Sequence, residues 1–157
     1  MRKHTKRKVY GLIYDPITYL KEGMAATPED CLNILRAREL SAIEALSKGK
    51  GGLNEWRQMT EMLNIAETMA GAGIGPEVMP VCLKAQNELI TAAKRFETTK
   101  RMGLTATGLF AIRELFAFHD AQRTAITRGE YERAIRTTQE RVRTHAGKIV
   151  DVSEVMA

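Results

Sequence analysis

The stretch Gly103 to Ile126, GLTATGLFAIRELFAFHDAQRTAI, decides how this chain is read. Leu104, Leu109, Phe110, Ile112, Leu115, Phe116 and Phe118 crowd into it, so that three of the four phenylalanines fall within nine residues. On a helix, Leu109, Ile112, Phe116 and His119 make one stripe, and Leu115 and Phe118 lie beside it. A helix that is apolar over most of its circumference needs neighbours on several sides. The expectation is an all-α, single-domain bundle of about five helices with this one at the centre, capped by Thr105 or Thr107.

Working outward, Val78, Cys82, Ala85, Leu89, Ala92 and Phe96 keep helical spacing, with the regular part starting or kinking at Pro80. That third helix ends in the basic run Lys94, Arg95, Lys100 and Arg101, closed by Met102-Gly103. The second helix, Leu53 to Ala70, carries Trp56, Met59, Leu63, Ala66 and Ala70, widened by Met62, Ile65 and Met69. Gly71-Ala72-Gly73-Ile74-Gly75-Pro76 then stops it. This is a helix stop and turn and not a nucleotide loop, because such loops follow a strand. The first helix is announced by Thr27-Pro28-Glu29-Asp30, with Thr27 as cap, and its apolar side is Leu32, Leu35, Ile43 and Leu46. The fifth starts near Thr127 or Arg128 and turns Tyr131, Ile135, Thr138, Val142 and His145 inward and Arg133, Arg136, Arg141 and Arg143 outward.

Residues 1–26 read as a basic arm followed by an extended or short helical segment, 27–150 as the bundle and 151–157 as a short acidic tail. Val9 to Tyr14 is β-compatible, but Asp15-Pro16 stops it and no partner strand is evident, so an extended segment lying across the bundle is expected. The 157 residues, 44% hydrophobic and 27% charged, suit one globular domain. No run reaches the roughly 20 apolar residues of a membrane span, and a cytosolic, cytoplasmic location is expected. Cys31 and Cys82 are expected to be reduced and partly buried, with no other cysteine to complete a metal cluster.

Charge is distributed unevenly. Arg2, Lys3, Lys6, Arg7 and Lys8 stand together without an acid. Taking these five from the 24 basic residues leaves 19 against 19 acidic ones, so the whole net charge of +5 belongs to the arm. Such an arm, followed by Tyr10, Tyr14 and Tyr19, combines attraction for phosphates with rings on which bases stack. The third helix's basic end and the fifth helix's arginines would extend that surface toward DNA, RNA or a nucleoprotein. The plainer reading is a solubilising tail.

Familiar catalytic marks are missing: there is no phosphate loop, nucleophile elbow or metal-spaced histidine pair. His119 and His145 lie on inward stripes and would meet if their helices pack together, but no carboxylate or thiol completes a site, so they read as interior histidines. No cofactor is expected. A helix-turn-helix over Arg95 to Leu115, turning at Gly103, is opposed by Thr98, Thr99 and Gly108. The methionines beside Trp56 offer a protein-docking surface as one reading and ordinary core as the other.

Three stretches, Leu35 to Glu44 (LRARELSAIE), Met62 to Met69 (MLNIAETM) and Glu130 to Ile135 (EYERAI), resemble small helical accessory proteins of proteobacterial phages and plasmids. The resemblance carries no assigned activity. It implies either a nucleic-acid-associated regulator of a mobile element or an inhibitor of a host defence complex. The expected function is therefore a non-enzymatic binding protein whose arm and Arg-bearing helix engage nucleic acid or a nucleoprotein. The alternative is an inhibitor or homo-oligomeric assembly factor acting through an apolar helix face.

Overall fold

A computed structural model describes residues 23–144. The arm, the segment Val9 to Tyr14 and the acidic tail lie outside the described residues. Among the described residues there are five α-helices and no strand: α1 (Glu29–Ser47), α2 (Leu53–Gly71), α3 (Met79–Thr99), α4 (Ala106–Thr124) and α5 (Arg128–Thr144), with a 3₁₀ turn at Pro76–Val78 before α3. The all-α bundle is the expected class.

Local signals set the ends. Gly73, at φ +88°, terminates α2: its N–H reaches Ala70 O at 3.1 Å and the Ile74 N–H reaches Met69 O at 2.9 Å. That pair of bonds is the Schellman arrangement, and the positive φ is the reason for glycine. Pro80 falls in the first turn of α3, where a missing amide costs nothing. Thr105 caps α4, its Oγ1 accepting from the Gly108 N–H at 3.1 Å. At α2, Glu55 reaches back to accept from the Gly52 N–H at 2.7 Å. Thr27 does not cap α1 as expected. Pro28 holds the capping position, and the Thr27 hydroxyl oxygen is buried without a hydrogen-bond partner among the described residues.

The centre of the bundle is α2 and not the helix of 103–126. α2 packs against all four other helices. Its buried side chains, Met59, Met62, Leu63, Ala66, Glu67, Met69 and Ala70, span a wide arc, and Ala66 and Ala70 are small enough to let neighbours approach. The Trp56 indole N–H donates to Leu89 O at 2.9 Å, tying α2 to α3. Met59, Met62 and Met69 are therefore core and not a docking surface.

α4 is turned differently from its aromatic stripe. Gly108, Ala111, Ile112, Leu115, His119, Gln122 and Arg123 face in, Leu109 and Phe116 are half-buried, and Phe110 is 69% exposed. The inward arc follows close approach to α3: a Cβ on Gly108 would stand 3.1 Å from Glu88 Oε2. A Cβ on Gly75, at the other end of that pair, would stand 3.1 Å from Gln122 Cγ. α3 and α4 therefore run antiparallel, and Arg95 to Leu115 does not form a crossed helix-turn-helix. Gly103 is small for another reason, since a Cβ there would lie 3.1 Å from Gly49 Cα. On α5, Tyr131, Ala134 and Thr138 are buried, whereas Val142 is exposed. Cys82 is buried, and Cys31 is exposed, contrary to expectation.

Replacement tests this orientation. Leu115→Ala empties a filled site and is expected to lower unfolding free energy by about 2–5 kcal/mol, whereas Phe110→Ala is expected to change it by about 0.5 kcal/mol or less. Urea unfolding of both variants separates the outcomes; a Phe110→Ala loss as large as that of Leu115→Ala would contradict this orientation.

Candidate nucleic-acid interface

Residues 23–26, which precede α1, are held against the start of α5. The Arg128 N–H donates to Ala25 O at 2.8 Å, and Ala26 pairs with Thr127 as an isolated antiparallel bridge. Gly23 lies over Gly129, where a Cβ would stand 2.8 Å from Gly23 O. Gly129 is thus required by backbone approach. It also marks a direction, because Gly129, Arg133 and Arg136 are spaced i, i+4 and i+7 and share one stripe of α5. Residues 23–26 therefore cross the first turn of α5 on the side where Arg133 and Arg136 are exposed, roughly 6 and 10 Å further along the axis. Neither arginine has a hydrogen bond or ion pair among the described residues.

The other expected basic residues fall elsewhere. Arg141 turns inward, donating to Asn64 O at 3.1 Å and to the buried Glu67 carboxylate at 3.2 Å. Arg143 stays outside but is held by Glu140, with both carboxylate oxygens at 2.8 Å. Arg95 folds back to donate to Gly103 O at 3.1 Å, and Lys94, Lys100 and Arg101 are exposed around the end of α3. That end meets the turn before α2, where Gly51 bridges Met102, whereas α5 begins beside Met69 at the far end of α2. A helix of that length spans roughly 28 Å, so the α3 cations and the Arg133–Arg136 pair stand at opposite ends of the bundle. Arg2, Lys3, Lys6, Arg7, Lys8, Tyr10 and His145 lie outside the described residues.

Beneath the first turn of α5 is a polar node that sequence reading missed. Arg123 is wholly buried. Its two terminal nitrogens donate to Glu39 of α1 at 2.6 and 2.9 Å, and its Nε donates to Asp120 at 3.0 Å. Asp120 also accepts from Arg36 Nε at 2.9 and 3.0 Å, and Arg36 reaches Glu29 at 2.6 Å. Burial works against the Arg123 charge, but Glu39 more than restores it, so the pKa stands above the ordinary value. Burial raises the Asp120 pKa, and the bonds from Arg36 and Arg123 outweigh it, leaving the carboxyl below its usual value. The available signal was that Arg123 continues the Leu115–His119 stripe at i+8 and i+4, which places it inside.

His119, 1% exposed, sits against Tyr131 with ring centroids 6.5 Å apart. The Gln122 amide nitrogen donates to Ala66 O at 3.2 Å and Ile74 O at 2.8 Å, which leaves its oxygen facing His119 Nδ1 at 3.2 Å. Nδ1 is therefore the protonated nitrogen, and Nε2 is buried without a hydrogen-bond partner among the described residues. Burial, helped by the Arg123 charge, lowers the His119 pKa to about 4. Burial also pushes the Cys82 thiol up to about 12. Among the described residues, no group of three or more His, Cys, Asp or Glu could hold a metal, and no helix is long and apolar enough to cross a membrane.

Compared with protein-family models, characterised proteins and solved structures, the chain matches none.

Two outcomes follow from the node. Arg123→Ala leaves Glu39 and Asp120 facing a buried void and is expected to cost about 3–5 kcal/mol by urea unfolding, against about 0.5 kcal/mol or less for exposed Arg38→Ala. For His119 the folded pKa lies below the unfolded one, so the unfolded chain takes up the extra proton. Its contribution is complete above about pH 6.5 and is lost as pH falls through about 4, by about 3 kcal/mol. Unfolding measured from pH 7 to 4 should show an acid limb that is shallower in His119→Gln; an identical limb in the variant would remove His119 as its source.

Proposed function

We propose that this is a non-enzymatic binding protein, of the kind carried by mobile genetic elements, that engages nucleic acid or a nucleoprotein through its arm and the exposed face of α5. The observation that carries the reading is the seat of Gly23 on Gly129. It brings the described residue nearest in sequence to the five charges of residues 2–8 onto the stripe of Arg133 and Arg136, exposed arginines with no hydrogen bond or ion pair among the described residues. Lys3, Lys6, Arg7 and Lys8 neutralise phosphates, Tyr10 supplies a stacking ring, and Arg133 and Arg136 continue the contact. Arg141 drops out because Glu67 holds it. The histidine that a catalytic reading would use is sealed inside and held neutral, which favours binding over chemistry.

Affinity for duplex DNA, single-stranded DNA and RNA across a salt series, for the intact chain and for one lacking residues 2–8, tests this. If each arm charge displaces a counterion, the log–log slope on duplex approaches about −4.5 and collapses on truncation. Absence of binding by the intact chain at low salt would end the reading.

A second reading rests on Phe110, Ile34 and Leu40, which leave apolar surface uncovered on α4 and α1. Under it the protein is an inhibitor or self-assembling factor acting through protein contacts. Mass measurement in solution would then give a dimer or larger species that Phe110→Ser dissolves.

A further inference from the structure

We infer that α5 is a release element gated by His119: when the buried imidazole takes up a proton, the chain favours a form in which α5 has left α2 while the other four helices stay packed. Such a gate operates whichever partner the protein engages.

The packing of α5 is the first reason. The main hydrophobic core, which includes Leu46, Met59, Cys82, Ile112 and Leu115, is assembled from α1 to α4 and the segments joining them, and α5 contributes no side chain to it. Tyr131 and Ala134 of α5 instead join Met69 of α2 and Ile126 in a separate cluster. Three of the 17 residues of α5 are buried, and among the described residues its main packing partner is α2. An element with few buried apolar contacts opens at a lower free energy than the core beside it.

The place of His119 is the second reason. Its Nδ1–H is held from the bundle side: it donates to Gln122 Oε1 at 3.2 Å, and the Gln122 amide is fixed by the carbonyls of Ala66 on α2 and Ile74 in the turn before α3. From α5 the group against the ring is Tyr131. Lifting α5 therefore opens the ring to water and leaves the bond to Gln122 in place. In the closed form Nε2 is buried with no hydrogen-bond partner among the described residues, so a proton placed there finds no acceptor. The surrounding groups do not supply one. On α4 Arg123 repels a second positive charge and Asp120 accepts from Arg36 and Arg123, on α1 Glu39 is taken by Arg123, and on α2 Glu67 is turned to Arg141. Burial raises the pKa of the Tyr131 phenol and pushes the Cys82 thiol of α3 to about 12, so both stay neutral.

Acid is the direction that opens. Burial, helped by the Arg123 charge, holds His119 at about 4 in the closed form, against roughly 6.5 for an imidazole in water. The open form therefore binds the extra proton, and opening is favoured as pH falls below about 6.5 and levels off below about 4. From pH 7 to 5, above the ordinary midpoints of carboxylates, the open-to-closed ratio rises about 20-fold. Opening gives up the bonds of Thr138 to Thr68 and of Arg141 to Glu67, and it uncovers Met69 and Ile65 of α2.

The test uses the full chain with Thr138→Cys, which puts a thiol on the buried side of α5. Exposed Cys31 reports the intrinsic reactivity of a thiol at each pH, and Cys82, buried in the main core, reports opening of the whole bundle. Dithiodipyridine modifies thiols in acid as well as in neutral solution, and mass spectrometry of the digest separates the three positions. At pH 7 the thiol at position 138 is expected to react roughly tenfold or more faster than Cys82. From pH 7 to 5 its rate relative to Cys31 is expected to rise about 20-fold, and the same chain with His119→Gln is expected to lose that rise. Equal rates at position 138 and Cys82 would overturn the gate, since α5 would then open only with the bundle. So would a rate at position 138 that merely keeps pace with Cys31, or a rise that survives His119→Gln. Circular dichroism at pH 7 checks that the variant is folded. If it is not, the ring protons of His119 in the unsubstituted chain decide by NMR: a titration midpoint near 6.5 would show that the imidazole takes its proton without opening, and a midpoint well below it supports the gate.

Discussion

The buried guanidinium of Arg123 is the contact from which the rest of the arrangement can be traced. An ion taken out of water must find its hydrogen bonds inside, and here Glu39 of α1 and the neighbouring Asp120 supply them. Such a pair adds little to stability beyond what packed hydrocarbon would give, but it tolerates few alternatives, because shifting α1 along α4 would strand three charges. Arg36 extends the constraint by gripping Asp120 from α1. Tyr131, the first buried residue of α5, lies against His119 and feels the Arg123 charge, so the node also seats the start of α5.

Placing α5 in this way determines what the surface offers. Its first turn comes against Gly23 and Ala25, and the two glycines that meet there leave no room for a side chain. The charge balance of the chain is altered by the same packing. Arg36, Arg123 and Arg141 are occupied by Asp120, Glu39 and Glu67, which removes both signs from solvent together. Arg133 and Arg136, on the stripe that Gly23 meets at Gly129, stay exposed and have no hydrogen bond or ion pair among the described residues.

The two histidine positions illustrate the limit of stripe arguments. His119 is inward, as its spacing implies, but its role is set by Gln122 and Tyr131, which no periodicity identifies. Phe110 shows the converse. It belongs to the most aromatic run in the chain, yet it points away from the bundle, because the face of a helix that turns inward is chosen by close approach of its neighbours as well as by hydrophobicity. Gly108 against Glu88 and Gln122 against Gly75 are the contacts that chose it.

Helix positions were legible in the sequence because their causes are local: a glycine at positive φ after α2, a proline in the first turn of α3, a threonine whose oxygen meets the amide three residues on. Each operates within a few residues and needs no knowledge of the fold, which is also why the all-α class could be read. The uneven charge of residues 1–8 was legible for the same reason, as a plain count. Only tertiary structure decided that α2 is central, that Arg123, Glu67 and Arg141 turn inward, and that Gly23 meets the stripe of α5 that carries Arg133. Those outcomes depend on pairs 74 to 106 residues apart in the chain, such as Glu67 with Arg141, Glu39 with Arg123 and Gly23 with Gly129, and a side chain shows no sign of such a partner until folding brings it within bonding distance.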